Sequence, residues 1–117
     1  MKRKASFYIK DIIDAITKIE EFIENIDFNN FIRDDKTTSA VIRKIEIIGE
    51  ATKQLPKDIK DRFPEIPWSS MAKTRDKIIH FYHSVDYKIV WEIIKKDLPP
   101  LKIQLTKLYN LLLNEGK

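Results

Sequence analysis

"DIIDAITKIEEFIENI", residues 11–26, places isoleucine at positions 12, 16, 19, 23 and 26. Steps of four, three, four and three return a residue to one face of an α-helix, whereas a half-buried strand would repeat every second residue. Half of the residues between them are charged, so the stretch reads as a long helix with one apolar stripe. Val41, Ile45, Ile48 and Leu55 supply the inner face of a second helix, and Leu98, Leu101, Leu105, Leu108 and Leu112 that of a last one. The chain has only two glycines, and neither follows Asn or Asp, which leaves a strand little to turn on. The expected fold is all-α: an antiparallel up-and-down bundle of about five helices, with no strand, in one domain spanning residues 1–117.

The boundaries follow from the breakers. "DFNNFIRDDKTT" (27–38) interrupts the first helix, and Thr38 or Ser39 is expected to cap the second, which runs to Pro56. "KDIKDRF" (57–63) is long enough for one or two turns, and the two prolines of "PEIPW" (64–68) predict an extended crossing. Ser69 is expected to cap the helix that contains "RDKIIHFYHS" (75–84), Asp86 the helix "YKIVWEIIKK" (87–96), and Asp97 the last, with Pro99 and Pro100 in its first turn. Trp68 and Trp91 are read as core anchors and Gly49 as the site of a close helix crossing. Glu46 and Glu50 are read as helix-surface charges within reach of a basic group on a neighbouring helix.

With 117 residues and no cysteine, the chain suits one core and excludes disulfides and thiolate metal sites. The start "MKRKASFYIKDII" is basic, but Lys10 and Asp11 interrupt the apolar run a signal peptide needs, and no stretch suits a membrane span. A soluble, cytoplasmic protein is expected. The net charge of +4 is a weak pointer to an anionic partner. Residues 1–30 carry five basic and six acidic groups and residues 88–117 six and three, so the excess is spread rather than gathered in a polybasic tail.

The chemistry-bearing residues lie in 75–84. On a continuous helix Arg75 and His80 would lie about 140° apart, whereas Asp76 and His80, and likewise Arg75 and Tyr82, would share a face. Arg75 and His80 would converge only in a cleft walled on both sides, as between two copies of the chain. His80 and His83, with Asp76 and Asp86 nearby, match no usual metal-ligand spacing, and the sequence contains no P-loop or nucleophile elbow. An arginine grips phosphate oxygens, and an imidazole moves protons near neutrality. Together they suit metal-free RNA cleavage, in which the substrate's own 2′-hydroxyl is the nucleophile. The same residues also fit a structural histidine beside a surface arginine.

Three stretches decide between these readings: "IEIIGEATKQLP" (45–56), "FPEIPWSSMAKTRDKIIHFYHSVD" (63–86) and "IVWEIIKKDLPPL" (89–101). In this order they resemble the HepT-like ribonucleases of the HEPN superfamily, whose motif of Arg, four residues, His, any residue, Tyr is matched by Arg75, His80 and Tyr82. The resemblance implies a metal-independent endoribonuclease without cofactor, the toxin of a type VII toxin–antitoxin module. It implies a homodimer whose motif helices form the active cleft, with Arg75 and His80 catalytic and Asp76 supporting them. It also implies a minimal nucleotidyltransferase as antitoxin, which would silence the toxin by transferring AMP onto Tyr82. His83 and Ser84 stand where the family often has an aromatic residue and a glycine. The alternative is a non-catalytic HEPN subunit that binds substrate or nucleotide for a nucleotidyltransferase, with Arg75 on phosphate and His80 structural.

Overall fold

The computed structural model describes residues 3–80 and 84–117, His80 by its backbone alone. Three long helical stretches build the bundle. Helix α1 (Ala5–Phe22) buries Ile9, Ile12, Ala15, Ile16 and Ile19, and Ile23 continues the stripe just beyond its end. Helix α3 (Asp35–Gln54) packs along it, burying Val41, Ile45 and Ile48. The last stretch comprises α7 (Tyr87–Glu92), a wider π-helical turn (Ile93–Asp97) and α8 (Leu98–Asn114). All five leucines expected to face inward from α8 are buried. The Ser6 amide donates to the Lys117 carbonyl at 3.1 Å, and Lys102 meets Glu20 at 2.7 Å, which sets α8 antiparallel to α1.

The all-α class holds, with several corrections in detail. The segment read as a break contains a short helix, α2 (Phe28–Arg33). Asp27 caps it by accepting from the Asn30 amide at 2.9 Å, and fully buried Phe31 pins it against Trp91, ring centroids 5.1 Å apart. Helix α3 starts earlier than expected. Its cap is Asp34, which accepts from both the amide (3.0 Å) and the hydroxyl (2.7 Å) of Thr37. Thr38 is already helical, with its hydroxyl donating to the Asp35 carbonyl at 3.1 Å. The short α4 (Lys57–Arg62) and the non-helical passage before Trp68 are as read. Helix α5 (Trp68–Ala72) follows directly on Pro67, so Ser69 lies inside it and does not cap it.

The larger correction concerns the motif helix. Helix α6 (Thr74–Ile78) ends before the histidine, and Ile79–His80 (β1) pairs antiparallel with Ser84–Val85 (β2), Ile79 opposite Val85 and His80 opposite Ser84. The Asp86 amide closes the hairpin on the Ile78 carbonyl at 2.7 Å, and the Asp86 side chain caps α7 by accepting from the Ile89 amide at 3.2 Å. The cap was legible; the strands were not. No glycine marks this reversal, and the β-branched residues Ile79 and Val85 favour the extended pairing. Asp97 caps nothing with its side chain, because the last stretch is continuous: the Leu98 amide donates to the Ile93 carbonyl, five residues back. Pro99 and Pro100 would crowd the carbonyls four residues before them in a regular helix. The wider turn ahead of them displaces those carbonyls and lets the helix run through.

Candidate active site

Helix α6 is short, and two residues fix its rotation. Thr74 and Ile78, four apart, are both buried. The Thr74 hydroxyl donates to the Met71 carbonyl at 2.7 Å, tying α6 to the end of α5. With that line turned inward, Arg75, Asp76 and Lys77 are exposed. Arg75 leans to the α3 side, where its Nε lies 3.4 Å from Glu46 Oε2. Half of the Arg75 side chain remains accessible, and about a third of Glu46 (50% and 32%). Lys77 leans the other way and donates to the Ser70 hydroxyl.

The hairpin changes the relation between the expected site residues. Asp76 and His80 do not share a helix face, because the helix stops between them; the 140° separation of Arg75 and His80, and the helix face expected to be common to Arg75 and Tyr82, lapse for the same reason. Two extended residues carry His80 about 7 Å past the end of α6, opposite Ser84. The structure therefore brings Arg75 and Glu46 together and places the His80 backbone on the strand that follows α6. Tyr82 and His83 lie outside the described residues. Among the described residues, no three His, Cys, Asp or Glu side chains are grouped so as to hold a metal ion.

Glu46 was noted in the sequence only as a charge in reach of something basic; Arg75 is that partner. Lys77 and Ser70 were not singled out, although a second cation two residues from Arg75 was visible in the string. Gly49 does face a close approach, since a Cβ added there would meet the Met71 and Ala72 carbonyl oxygens at 3.5 Å. That is an ordinary contact, so the crossing does not require glycine.

The family model for HepT-like ribonucleases matches residues 12–108, a span that takes in α6, the hairpin and most of α8. The chain belongs to the HepT-like ribonuclease family. "Probable ribonuclease HepT" of Thermococcus cleftensis is 51% identical over 108 residues, covering 92% of this chain and 98% of that protein. A "Putative RNase" of Methanocaldococcus jannaschii is 40% identical over 98 residues, 84% of this chain and 81% of that one. Another "Putative RNase", from Caldanaerobacter subterraneus, is 39% identical over 101 residues, 86% and 90% of the two chains. No solved structure matches. In this HepT-like chain Arg75 stands on a pinned helical turn and His80 on the strand that follows. Among the described residues, no helix is long and apolar enough to cross a membrane.

Proposed function

We propose that this HepT-like chain is a metal-independent endoribonuclease, with Arg75 and His80 as its catalytic pair. The observation that carries the reading is the placement of Arg75. Its helix is pinned by Thr74 and Ile78, its Nε faces Glu46, and half of its side chain is open to solvent. A guanidinium engaged through Nε still presents Nη1 and Nη2 as a fork for two phosphate oxygens. In the reaction the 2′-oxygen bonds to phosphorus and the bond from phosphorus to the 5′-oxygen breaks. The 2′-hydroxyl gives its proton to a base, and the leaving oxygen takes one from an acid. Arg75 stabilises the negative charge that develops on the phosphoryl oxygens. The products are a 2′,3′-cyclic phosphate and a 5′-hydroxyl.

One chain supplies one motif imidazole, whereas the reaction wants both a base and an acid. A homodimer with two motif hairpins facing one cleft meets that need, and Asp76, exposed on α6, supports the cleft. The physiological setting we infer is a type VII toxin–antitoxin module in the cytoplasm. The partner is a minimal nucleotidyltransferase antitoxin that joins the α-phosphate of ATP to the Tyr82 oxygen and releases pyrophosphate. An AMP so attached adds negative charge and bulk to the motif, which repels and excludes RNA.

The test is cleavage of a labelled RNA in EDTA by purified chain of verified unmodified mass, beside His80→Ala and Arg75→Ala. Cleavage by the wild type alone, with 2′,3′-cyclic phosphate ends, is expected. Equal cleavage by all three would overturn the catalytic pair, and no cleavage by the unmodified wild type would overturn the enzyme.

A further inference from the structure

On the Lys77 side of α6 the described residues enclose a hollow of about 310 Å³. Its floor is apolar, made by Ile48 of α3, Met71 of α5, Ile93 of the π-helical turn and Leu101 of α8. Its rim is polar: Ser70 and Lys77 stand on one side, Lys96, Asp97 and Gln104 on the other. The π-helical turn shapes it, because the widened backbone carries Ile93 into the floor while Lys96 stands exposed at the edge. Pro67 and Pro100, which have no N–H to satisfy, complete two of its walls.

We infer that this hollow is a subsite for one nucleotide unit of the RNA substrate, with the base on the apolar floor and a neighbouring phosphate held by Lys77 and Lys96. The inference rests on the ribonuclease reading and extends it to the strand beside the scissile bond. The volume is at the low end of small-molecule sites, which suits a single nucleotide rather than a folded RNA element. Two lysines against the one carboxylate of Asp97 leave a single positive charge, the complement of one phosphodiester. The Ser70 hydroxyl and the Gln104 amide offer a donor and an acceptor to the edge of a base. Location supplies the link to the candidate active site. Lys77 and Arg75 flank the buried Thr74–Ile78 line on opposite sides of α6, two residues apart, a backbone separation of about 5.5 Å. A single strand crossing the exposed ridge of α6 would therefore set one phosphate on Arg75 and the next nucleotide over the hollow. Asp76 stands on that ridge, where a carboxylate accepts from a 2′-hydroxyl.

The experiment uses the full chain with labelled isoleucine and methionine methyls, titrated with 5′-AMP and, separately, with inorganic phosphate. AMP is expected to shift the Met71, Ile48 and Ile93 methyl signals, saturably and well beyond what phosphate does. Lys96→Glu, a change at an exposed side chain, should weaken AMP at least five-fold while the rest of the methyl spectrum stays in place. With RNA as substrate the same variant should raise KM at least five-fold, with the smaller effect on kcat. Absent shifts, or equal shifts with phosphate alone, would overturn the subsite. So would floor signals that move with protein concentration in the absence of AMP, since a second copy of the chain would then cover the hollow. AMP binding together with an unchanged KM for RNA would overturn the assignment to the substrate strand. A wild type that binds AMP here and cleaves no RNA would sink the ribonuclease reading and leave a nucleotide site standing; cleavage without AMP binding would do the reverse.

Discussion

Replacing Glu46 by glutamine removes one charge from beside Arg75 and keeps the side-chain volume. At 3.4 Å the pair has a Coulomb energy of about 1 kcal/mol in bulk water and about 5 kcal/mol at the effective dielectric of a protein surface. Both partners are substantially exposed, so solvent screening reduces the net contribution to about 0.2–1 kcal/mol. Stability should therefore barely change, with Tm falling by no more than about 5 °C. The effect on catalysis has a different signature. A guanidinium released from Glu46 samples more orientations and is in place less often when charge develops on the phosphate. Each 1 kcal/mol lost from that arrangement slows the step about five-fold. Removing a carboxylate from the neighbourhood also lessens repulsion of RNA. For Glu46→Gln, kcat should thus fall about two- to five-fold, while KM stays level or drops. Glu46→Asp, which keeps the charge on a shorter stem, should fall between the variant and the wild type. Initial rates of RNA cleavage in EDTA, with thermal melts on the same samples, measure all of these quantities. An unchanged kcat would refute the orienting role. A melt lowered by more than about 10 °C would show that Glu46 holds the fold instead.

Three further outcomes follow from the packing. Gly49→Ala removes the helix penalty of glycine and meets only an ordinary 3.5 Å contact with the Met71 and Ala72 carbonyls; thermal or denaturant unfolding should show a gain of up to about 1 kcal/mol, and a loss would mean that the crossing is tighter than its geometry. Leu105→Ala empties a fully buried position at the centre of α8 and should cost about 2–5 kcal/mol in urea unfolding; a cost below about 1 kcal/mol would place Leu105 outside the core. The amide and hydroxyl of Thr37 hold the Asp34 carboxyl below the ordinary aspartate value of 3.8. A depressed pKa contributes stability that is complete above the unfolded value and is lost as pH falls through the folded one. Asp34→Ala should therefore lower Tm at neutral pH, with the gap from wild type narrowing below about pH 4; a gap that stays constant down to pH 2 would contradict the capping carboxylate.

The bundle was legible because its signal is redundant. Each long helix repeats its apolar step several times, so the isoleucines of α1 and the leucines of α8 could be assigned to the core without knowing their partners. Caps were legible only where one residue offered itself. Asp86 did, whereas at α3 the choice read from the sequence was Thr38 or Ser39, and Asp34, with two bonds to Thr37, holds the cap instead. The hairpin after Ile78 was illegible for a physical reason: strands of two residues carry no periodicity, and the apolar run Ile78–Ile79 fits a helix as well as a strand. That error shaped the reading of the site, since the faces assigned to Asp76 and His80 assumed one helix. The reach of Arg75 toward α3 was half legible. Glu46 could be seen as a carboxylate in search of a cation, but nothing in the string said which cation the fold would bring. The π-helical turn, and with it the hollow beside Lys77, had no signal beyond the two prolines.

That turn also keeps the two ends of the last helical stretch in gear. Ile93 and Ile94, adjacent in sequence, are both buried, because the turn contains one residue more than a regular helix would. Because the five-residue bond takes that extra residue into a single wider winding, α7 and α8 keep the relative azimuth they would have without it. Deleting one residue between 93 and 97 would therefore restore regular winding and leave α7, with the hairpin fastened to it through Asp86, facing α8 much as it does now. What the deletion would undo is local: the carbonyls ahead of Pro99 and Pro100 would return to where the proline rings crowd them. The extra residue thus relieves two prolines inside a continuous helix without disturbing the aim of the motif hairpin.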